Sequence, residues 1–164
     1  AAKEIKSEGI NDINWIIVGD GMARRQVEKD VERAGLGGIF FFEGQKPIGD
    51  MPKYAAVADG LIGCLAKSDL LEATIPAKVM SYIASGKPIV LAMDGEVQTL
   101  INKTIRGGYV SKTEDGLALA NNIIKLRNLS YAERKEMSDR LKGYYFKNLD
   151  RGVLLDELVS FIYR

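Results

Sequence analysis

Short apolar runs alternate with longer amphipathic stretches along most of the chain, and this rhythm constrains the fold more than any other feature. Consecutive strands joined through helices run parallel, so the rhythm predicts an α/β fold: a Rossmann-like, doubly wound parallel sheet with helices on both faces. Ligands of such sheets bind beyond the carboxyl ends of the strands. The predicted strands are residues 15–18, 39–42, 61–65, 89–92 and 109–110, and the helices between them are 22–34, 51–58, 76–85, 96–102 and 117–126.

No repeat, low-complexity tract or long Pro/Gly/Ser linker divides the 164 residues, so we expect one domain, 1–164. Residues 130–164 are predicted to form a helical tail, with Ser130 and Asp150 as N-caps. The last helix is apolar over a wide arc and therefore needs a partner surface. Residues 1–10 are typical of the end of a helix that lacks its start, so we expect the chain to be truncated at its N-terminus.

Composition excludes several classes of protein. The chain has 23 Lys and Arg against 22 Asp and Glu, and this balance argues against nucleic-acid binding. Histidine is absent, which removes the commonest zinc ligand and the usual proton shuttle at neutral pH. The single cysteine, Cys64, cannot form an internal disulfide, and no apolar run is long enough to span a bilayer. These features predict a cytoplasmic location.

The turn Gly19-Asp20-Gly21 follows the first predicted strand and is the first candidate site. Glycines there let the chain turn sharply and bring backbone N–H groups close to an anionic ligand. A dinucleotide site would have a third glycine where Arg24 stands, although Glu43 lies where a ribose-binding acid could be. A tight turn without any ligand is the alternative.

The start of the predicted helix at 76–85 is a stronger candidate. Pro76 suits the first helical position, and Ile75 would then be an N-cap without a side-chain acceptor. The N–H groups of Ala77, Lys78 and Val79 are therefore predicted to be free, and with the helix dipole and the Lys78 ammonium they suit a phosphate or diphosphate. The alternative is that Thr74 or Glu72 folds back as the cap and Lys78 is simply solvated.

Three further segments carry open alternatives. Asp69 and Glu72 lie in the loop that follows the third strand and can accept hydrogen bonds from a hydroxyl-rich ligand, or be solvated like most surface charges. Glu96, after the fourth strand, can present a carboxylate at the start of the next helix, or simply interact favourably with the helix dipole. The aromatic cluster 144–146, flanked by lysines, suits either the core or a membrane interface.

Several motifs in order resemble one family. They are Val18-Gly19-Asp20-Gly21, Phe42-Glu43-Gly44, Met51-Pro52-Lys53-Tyr54 with Ala58-Asp59, and Pro76-x-Lys78-x-x-x-Tyr82-x-Ala84-x-Gly86-Lys87-Pro88. The chain resembles the carboxyl-terminal, donor-binding half of a GT-B glycosyltransferase, similar to the family 4 (group 1) enzymes that build bacterial surface polysaccharides. The last of these motifs is the most specific.

The resemblance implies a retaining hexosyl- or aminosugar-transferase that uses a nucleotide-diphosphate sugar without a metal or other cofactor. It places the diphosphate at Ala77, Lys78 and Val79, the base and ribose beside Gly19, Gly21, Gly44, Gln45 and Ser81, and the sugar beside Asp69 and Glu72. It also implies a missing N-terminal acceptor domain, on which the tail 130–164 would pack. This chain alone is then expected to be inactive, and the full-length enzyme to contact the inner face of the membrane peripherally.

The sequence departs from the family pattern at several positions. The Glu-x7-Glu pair of the family falls on Ala73 and Ser81, so neither glutamate role carries over and the catalytic residues stay unassigned. Ala77 replaces a frequent serine. UDP and GDP both remain open as donors, as does the oligomeric state. The alternatives are a dinucleotide- or small-ligand-binding regulatory domain built on the Gly19 turn, and an interaction module built on the last helix.

Overall fold

The computed structural model describes residues 1–67 and 74–163. Five strands alternate with helices in the predicted order. The strands are β1 (Trp15–Val18), β2 (Phe40–Gly44), β3 (Leu61–Cys64), β4 (Ile89–Ala92) and β5 (Gly108–Ser111). The helices are α1 (Ala2–Ser7), α2 (Arg24–Arg33), α3 (Met51–Val57), α4 (Ala77–Ser85), α5 (Glu96–Thr99), α6 (Gly116–Asn128), α7 (Tyr131–Asn148) and α8 (Arg151–Ile162). Short 3-10 turns precede β2 and α3, and α5 continues as a π-helix over Leu100–Ile105.

All strand pairs are parallel, which confirms the predicted α/β architecture. β1 pairs with β2, and β4 lies between β3 and β5. The register is regular from Leu61↔Ile89 to Cys64↔Ala92. One feature differs from the single sheet that the sequence predicts: within the described residues the strands form two sheets, because β1 and β3 are not hydrogen-bonded to each other. Each of these strands therefore has one edge without a strand partner.

The core lies on both faces of β4, since successive side chains of a strand point to opposite sides. Ile89 and Leu91 pack with α4, α5 and α7 on one face. Val90 and Ala92 pack with α1 and α6 on the other. The residues of β4 are 0–5% exposed, as expected of a strand paired on both edges and covered by helices on both faces.

The helical tail forms as predicted. Ser130 and Glu133 make a capping box at the start of α7, and the Asp150 carboxylate accepts a hydrogen bond from the Gly152 N–H at the start of α8. α7 belongs to the core, because Leu141 is fully buried against Ile101 and its neighbours. α8 buries none of its residues. Its exposed large apolar side chains are Leu154, Leu155, Leu158, Val159, Phe161 and Ile162.

The structure divides the aromatic cluster. Tyr144 and Tyr145 are half-buried against the core beside Leu141, whereas Phe146 is 64% exposed and contacts Tyr145 edge to face. Two of the three aromatic residues are therefore core anchors. No helix in the described part of the chain has the length and apolar character needed to cross a bilayer.

Candidate functional site

The start of α4 lies just beyond the loop that follows β3, and its local geometry differs from the prediction by one residue. Pro76, with φ −61° and ψ 139°, is the N-cap rather than the first helical residue, and α4 begins at Ala77. The prediction that Ile75 is the N-cap was therefore wrong. The consequence drawn from it survives, because no side chain caps this helix start and proline has no side-chain acceptor.

Two of the three predicted backbone donors remain available. The Val79 N–H donates to the Pro76 carbonyl oxygen at 2.8 Å, and the Val79 side chain is fully buried. The prediction that the Val79 N–H is free to bind a ligand is therefore wrong. The N–H groups of Ala77 and Lys78 have no acceptor among residues 1–67 and 74–163, and both residues are exposed. The start of α4 therefore presents two bare amides at the positive end of the helix dipole.

A positive side chain reinforces this end of the helix. The Lys78 ammonium lies close enough to the carboxyl end of β3 to lower the pKa of the Cys64 thiol, although burial, the larger effect, raises the pKa above its ordinary value. Because Lys78 makes no ion pair within the described residues, its charge is available to an anion bound near the first turn of α4. The site therefore suits a phosphate or a diphosphate.

The glycine turn after β1 is closed to an anion. The Gly19 N–H donates to the Gly44 carbonyl oxygen at 2.8 Å, and the Gly21 N–H donates to Asp20 Oδ1 at 2.8 Å. The expectation that these amides face an anionic ligand is therefore wrong. The Gly19–Gly44 bond instead ties the turn after β1 to the end of β2. A Cβ on Gly19 or Gly21 would meet no atom within 4 Å, so the space beside the turn is open.

Arg24 explains why the dinucleotide alternative fits poorly. It begins α2, where the motif would have its third glycine, and its Nε donates to Glu28 at 2.7 Å. Its Nη1 lies 3.1 Å from the position of a Cβ on Gly44, and 3.7 Å from Asp20. A large paired guanidinium thus occupies the place where that motif needs a bare backbone.

A polar cluster at the end of β2 was only partly anticipated. Glu43 Oε2 accepts from the Tyr54 hydroxyl at 3.1 Å and lies 3.2 Å from the Lys46 ammonium, and these two partners lower the pKa of the Glu43 carboxyl, Lys46 more strongly. Glu43 is therefore engaged with protein rather than free for a ribose. Gly44 has a φ of +70°, and Gln45 beside it is exposed. The cluster holds this turn against α3.

The remaining predicted residues divide into described and undescribed ones. Ser81 is exposed one turn beyond Ala77, and its Oγ donates to the Ala77 carbonyl oxygen at 3.4 Å, so it stands beside the anion site. Glu96 is exposed at the start of α5. Asp69 and Glu72 lie outside the described residues.

The sequence analysis missed one carboxylate at the carboxyl edge of the sheet, that of Asp94. Asp94 follows β4 and accepts hydrogen bonds from the Thr113 hydroxyl, the Thr113 N–H at 3.3 Å and Gln98 Nε2 at 3.2 Å. The Thr113 hydroxyl is the main cause of a lowered pKa at Asp94. The place of Asp94 directly after a predicted strand was the feature of the sequence that could have identified it. Its hydrogen bonds hold the ends of β4 and β5 together.

This is an α/β domain with parallel strands. At their carboxyl edge it has a helix start that no side chain caps and that carries Lys78 in its first turn, so the domain suits a phosphate-bearing ligand. The chain belongs to the glycosyl transferases group 1 family, whose family model matches residues 1–128.

Solved structures share the fold. HepE from Anabaena in complex with UDP-glucose superposes with a TM-score of 0.79 at 16% identity, over 98% of this chain and 43% of that one. HepE in complex with UDP gives 0.71 at 17% identity, over 92% and 41%. Sucrose-phosphate synthase from Thermosynechococcus elongatus gives 0.61 at 17% identity, over 98% and 49%. The chain thus spans less than half the length of these GT-B proteins. A search of curated proteins finds no significant match.

Proposed function

We propose that this chain is the donor-binding domain of a retaining glycosyltransferase that uses a nucleotide-diphosphate sugar. The observation that carries the proposal is the start of α4, where the Ala77 and Lys78 amides have no protein acceptor among the described residues and Lys78 adds a positive charge to the same turn. Family membership supports a transferase. The UDP and UDP-glucose complexes of HepE support a nucleotide-sugar donor.

The chemistry of the proposal is electrostatic. Transfer of a sugar from its nucleotide leaves negative charge on the departing diphosphate, and fixed donors aimed at that charge lower the barrier. Two backbone amides and one ammonium supply such donors without a metal ion, so metal independence is part of the proposal. Val79 contributes only by packing the first turn of α4 into the core.

The rest of the donor would extend from this point along the carboxyl edge. Ser81 stands beside the anion site and suits a ribose hydroxyl, because its own hydroxyl can donate or accept. The open space beside Gly19 and Gly21, bordered by Gly44 and Gln45, suits the base. In the proposal Gly19 and Gly21 act through their lack of a side chain and not through their amides. Asp69 and Glu72 are proposed for the sugar.

A larger assembly is part of the same proposal. An acceptor must be held against the donor with water excluded, and a second domain supplies the other wall of the cleft in the proposed enzyme. We therefore expect no turnover from residues 1–164 alone. Bacterial surface polysaccharide synthesis with a hexose or aminosugar, in the cytoplasm and at the inner membrane face, completes the proposed setting.

Isothermal titration calorimetry with UDP, GDP and UDP-glucose tests donor binding. Ala77→Pro removes one backbone donor at the first helical position, where proline is tolerated. A hydrogen bond to a charged group contributes about 1.5–3 kcal/mol, so we expect roughly tenfold or more weaker binding. Ala77→Ser keeps the N–H and is the matched control. Lys78→Met is expected to weaken binding as well, whereas Lys125→Met, at the far end of α6, should leave it unchanged.

The outcomes separate the alternatives. No binding of UDP, GDP or UDP-glucose at millimolar concentration would reject the proposal. NAD binding without nucleoside diphosphate binding would select the dinucleotide alternative. Binding that is indifferent to both Ala77→Pro and Lys78→Met would place the ligand elsewhere on the molecule.

A further inference from the structure

The Arg24 side chain lies between the glycine turn after β1 and the end of β2. Its backbone N–H donates to the Gly21 carbonyl oxygen at 3.0 Å, so the residue follows the turn directly. Its Nη1 atom lies 3.7 Å from Asp20 Oδ2 and 3.1 Å from the position that a Cβ on Gly44 would take. The guanidinium group therefore borders the open space beside Gly19 and Gly21, which the proposed function gives to the base.

Protein groups hold this guanidinium in place without using most of its hydrogen-bond donors. Arg24 Nε donates to Glu28 Oε1 at 2.7 Å, one turn further along α2, and the two residues form an ion pair. A guanidinium group has five N–H donors in a rigid plane, and Nε supplies one of them. Within residues 1–67 and 74–163, no protein acceptor forms a hydrogen bond with Nη1 or Nη2. Because the side chain is 31% exposed, the donors of Nη1 and Nη2 are available to a ligand.

The carboxylates around the same space are already paired with protein groups. Asp20 Oδ1 accepts from the backbone N–H that follows it at 2.8 Å, and its Oδ2 faces the Arg24 guanidinium. Glu28 accepts from Arg24 Nε. Glu43, at the end of β2, is engaged by a tyrosine hydroxyl and a lysine ammonium. A ligand at this place therefore meets a fixed cation with free donors.

A fixed guanidinium distinguishes between nucleotide bases, because it donates hydrogen bonds and cannot accept them. Uracil has a carbonyl oxygen where cytosine has an amino group, and guanine has one where adenine has an amino group. The carbonyl oxygen accepts from the guanidinium. The amino group meets it donor to donor, and both groups are then left unpaired. Guanine accepts two such bonds, at O6 and N7.

We infer that Arg24 is a specificity-determining residue of the donor site. It selects a nucleotide whose base presents a carbonyl oxygen, as uracil and guanine do, over one that presents an amino group at the same place, as cytosine and adenine do. Glu28 is a positioning residue, because its hydrogen bond orients the guanidinium plane. The inference rests on the proposed function, since it concerns the base of the same nucleotide.

Paired titrations isolate the contribution of the base, because the diphosphate is the same in every nucleotide compared. Isothermal titration calorimetry measures the Kd of residues 1–164 for UDP against CDP, and for GDP against ADP. We expect the carbonyl-bearing member of each pair to bind about tenfold more tightly, since the other member loses a hydrogen bond to a charged group. Arg24→Met keeps an apolar stem but removes the donors. It should bring both ratios to about one, mainly by weakening UDP and GDP.

Two further variants control for position and for structure. Arg25→Met changes the neighbouring exposed arginine of α2 and should leave both ratios unchanged. Glu28→Ala releases Nε while Arg24 itself stays, and should reduce both ratios about threefold or more. A merely structural role of Arg24 would weaken all four nucleotides alike and preserve the ratios.

The outcomes separate the inference from the proposed function. If none of the four nucleotides binds at millimolar concentration, the proposed function fails and the inference fails with it. If they bind but each pair binds equally well, the inference alone is wrong. It is also wrong if both ratios survive Arg24→Met.

Discussion

Gly108 gives the sharpest test of how the strands that carry the site are packed. A Cβ on Gly108 would lie 1.9 Å from the Ile89 carbonyl oxygen in β4, and this neighbour is backbone that cannot rotate away. Such contacts do not fall below 3.0 Å, so Gly108→Ala requires β4 and β5 to separate by at least 1.1 Å, the difference between the two distances.

That separation breaks pairing in the centre of the core. The Ile89 N–H donates to the Gly107 carbonyl oxygen at 3.1 Å, and Ile89 is fully buried. A buried amide left without a partner costs about 1–3 kcal/mol, and the disturbed packing adds to it. We expect Gly108→Ala to lower the free energy of unfolding by roughly 3–5 kcal/mol in total.

The same substitution at Gly143 is the matched control. Gly143 lies inside α7, and a Cβ there would meet no atom within 4 Å. Alanine is the better helix former, so Gly143→Ala should raise the free energy of unfolding by about 0.5–1 kcal/mol. Urea unfolding followed by circular dichroism measures both. A loss below ~1 kcal/mol for Gly108→Ala, or the same sign for both variants, would refute the described strand packing.

Three further predictions concern the surface. Arg127 lowers the pKa of the Asp12 carboxyl, so this ion pair stabilises the fold above about pH 4. The contribution is lost as the pH falls through the pKa of Asp12 in the folded state. Acid-unfolding curves of Asp12→Asn should lack that part of the pH dependence. Ser130→Ala removes the capping box and should cost about 1 kcal/mol in urea unfolding. Burial raises the pKa of the Cys64 thiol, so iodoacetamide should alkylate it more slowly than a free thiol at pH 8, and Lys78→Met should slow it further. A faster reaction in that variant would contradict the position of Lys78.

The strands were predictable because their apolar runs are short and bounded by turn residues. β4 spans residues 89–92 in both the prediction and the structure, and β1 spans 15–18 in both. The extension of α5 into a π-helix was not predictable, because it depends on burying Ile101 and Ile105 against distant residues. The separation of the sheet into two was missed as well, since strand pairing is a non-local property.

The site was predictable where local chemistry decides it. Proline fixes φ but not ψ, so the residue type predicts a helix start near Pro76 without choosing between N-cap and first helical position. Val79 was misassigned because its amide is used within the first turn itself. The Gly19 amide was misassigned for the opposite reason, since its acceptor, Gly44, comes from another strand.

The Tyr82 hydroxyl donates to the Ile62 carbonyl oxygen at 3.1 Å and so joins α4 to β3. We expect a change at β3 to reach the helix through this bond, because the bare amides lie only one turn from Tyr82. Thermodynamic linkage makes such a relation reciprocal. If ligand binding at the start of α4 changes β3, then a change at β3 alters the ligand affinity at the start of α4 to the same extent. Tyr82→Phe removes the hydroxyl but keeps the ring, so we expect it to weaken this coupling.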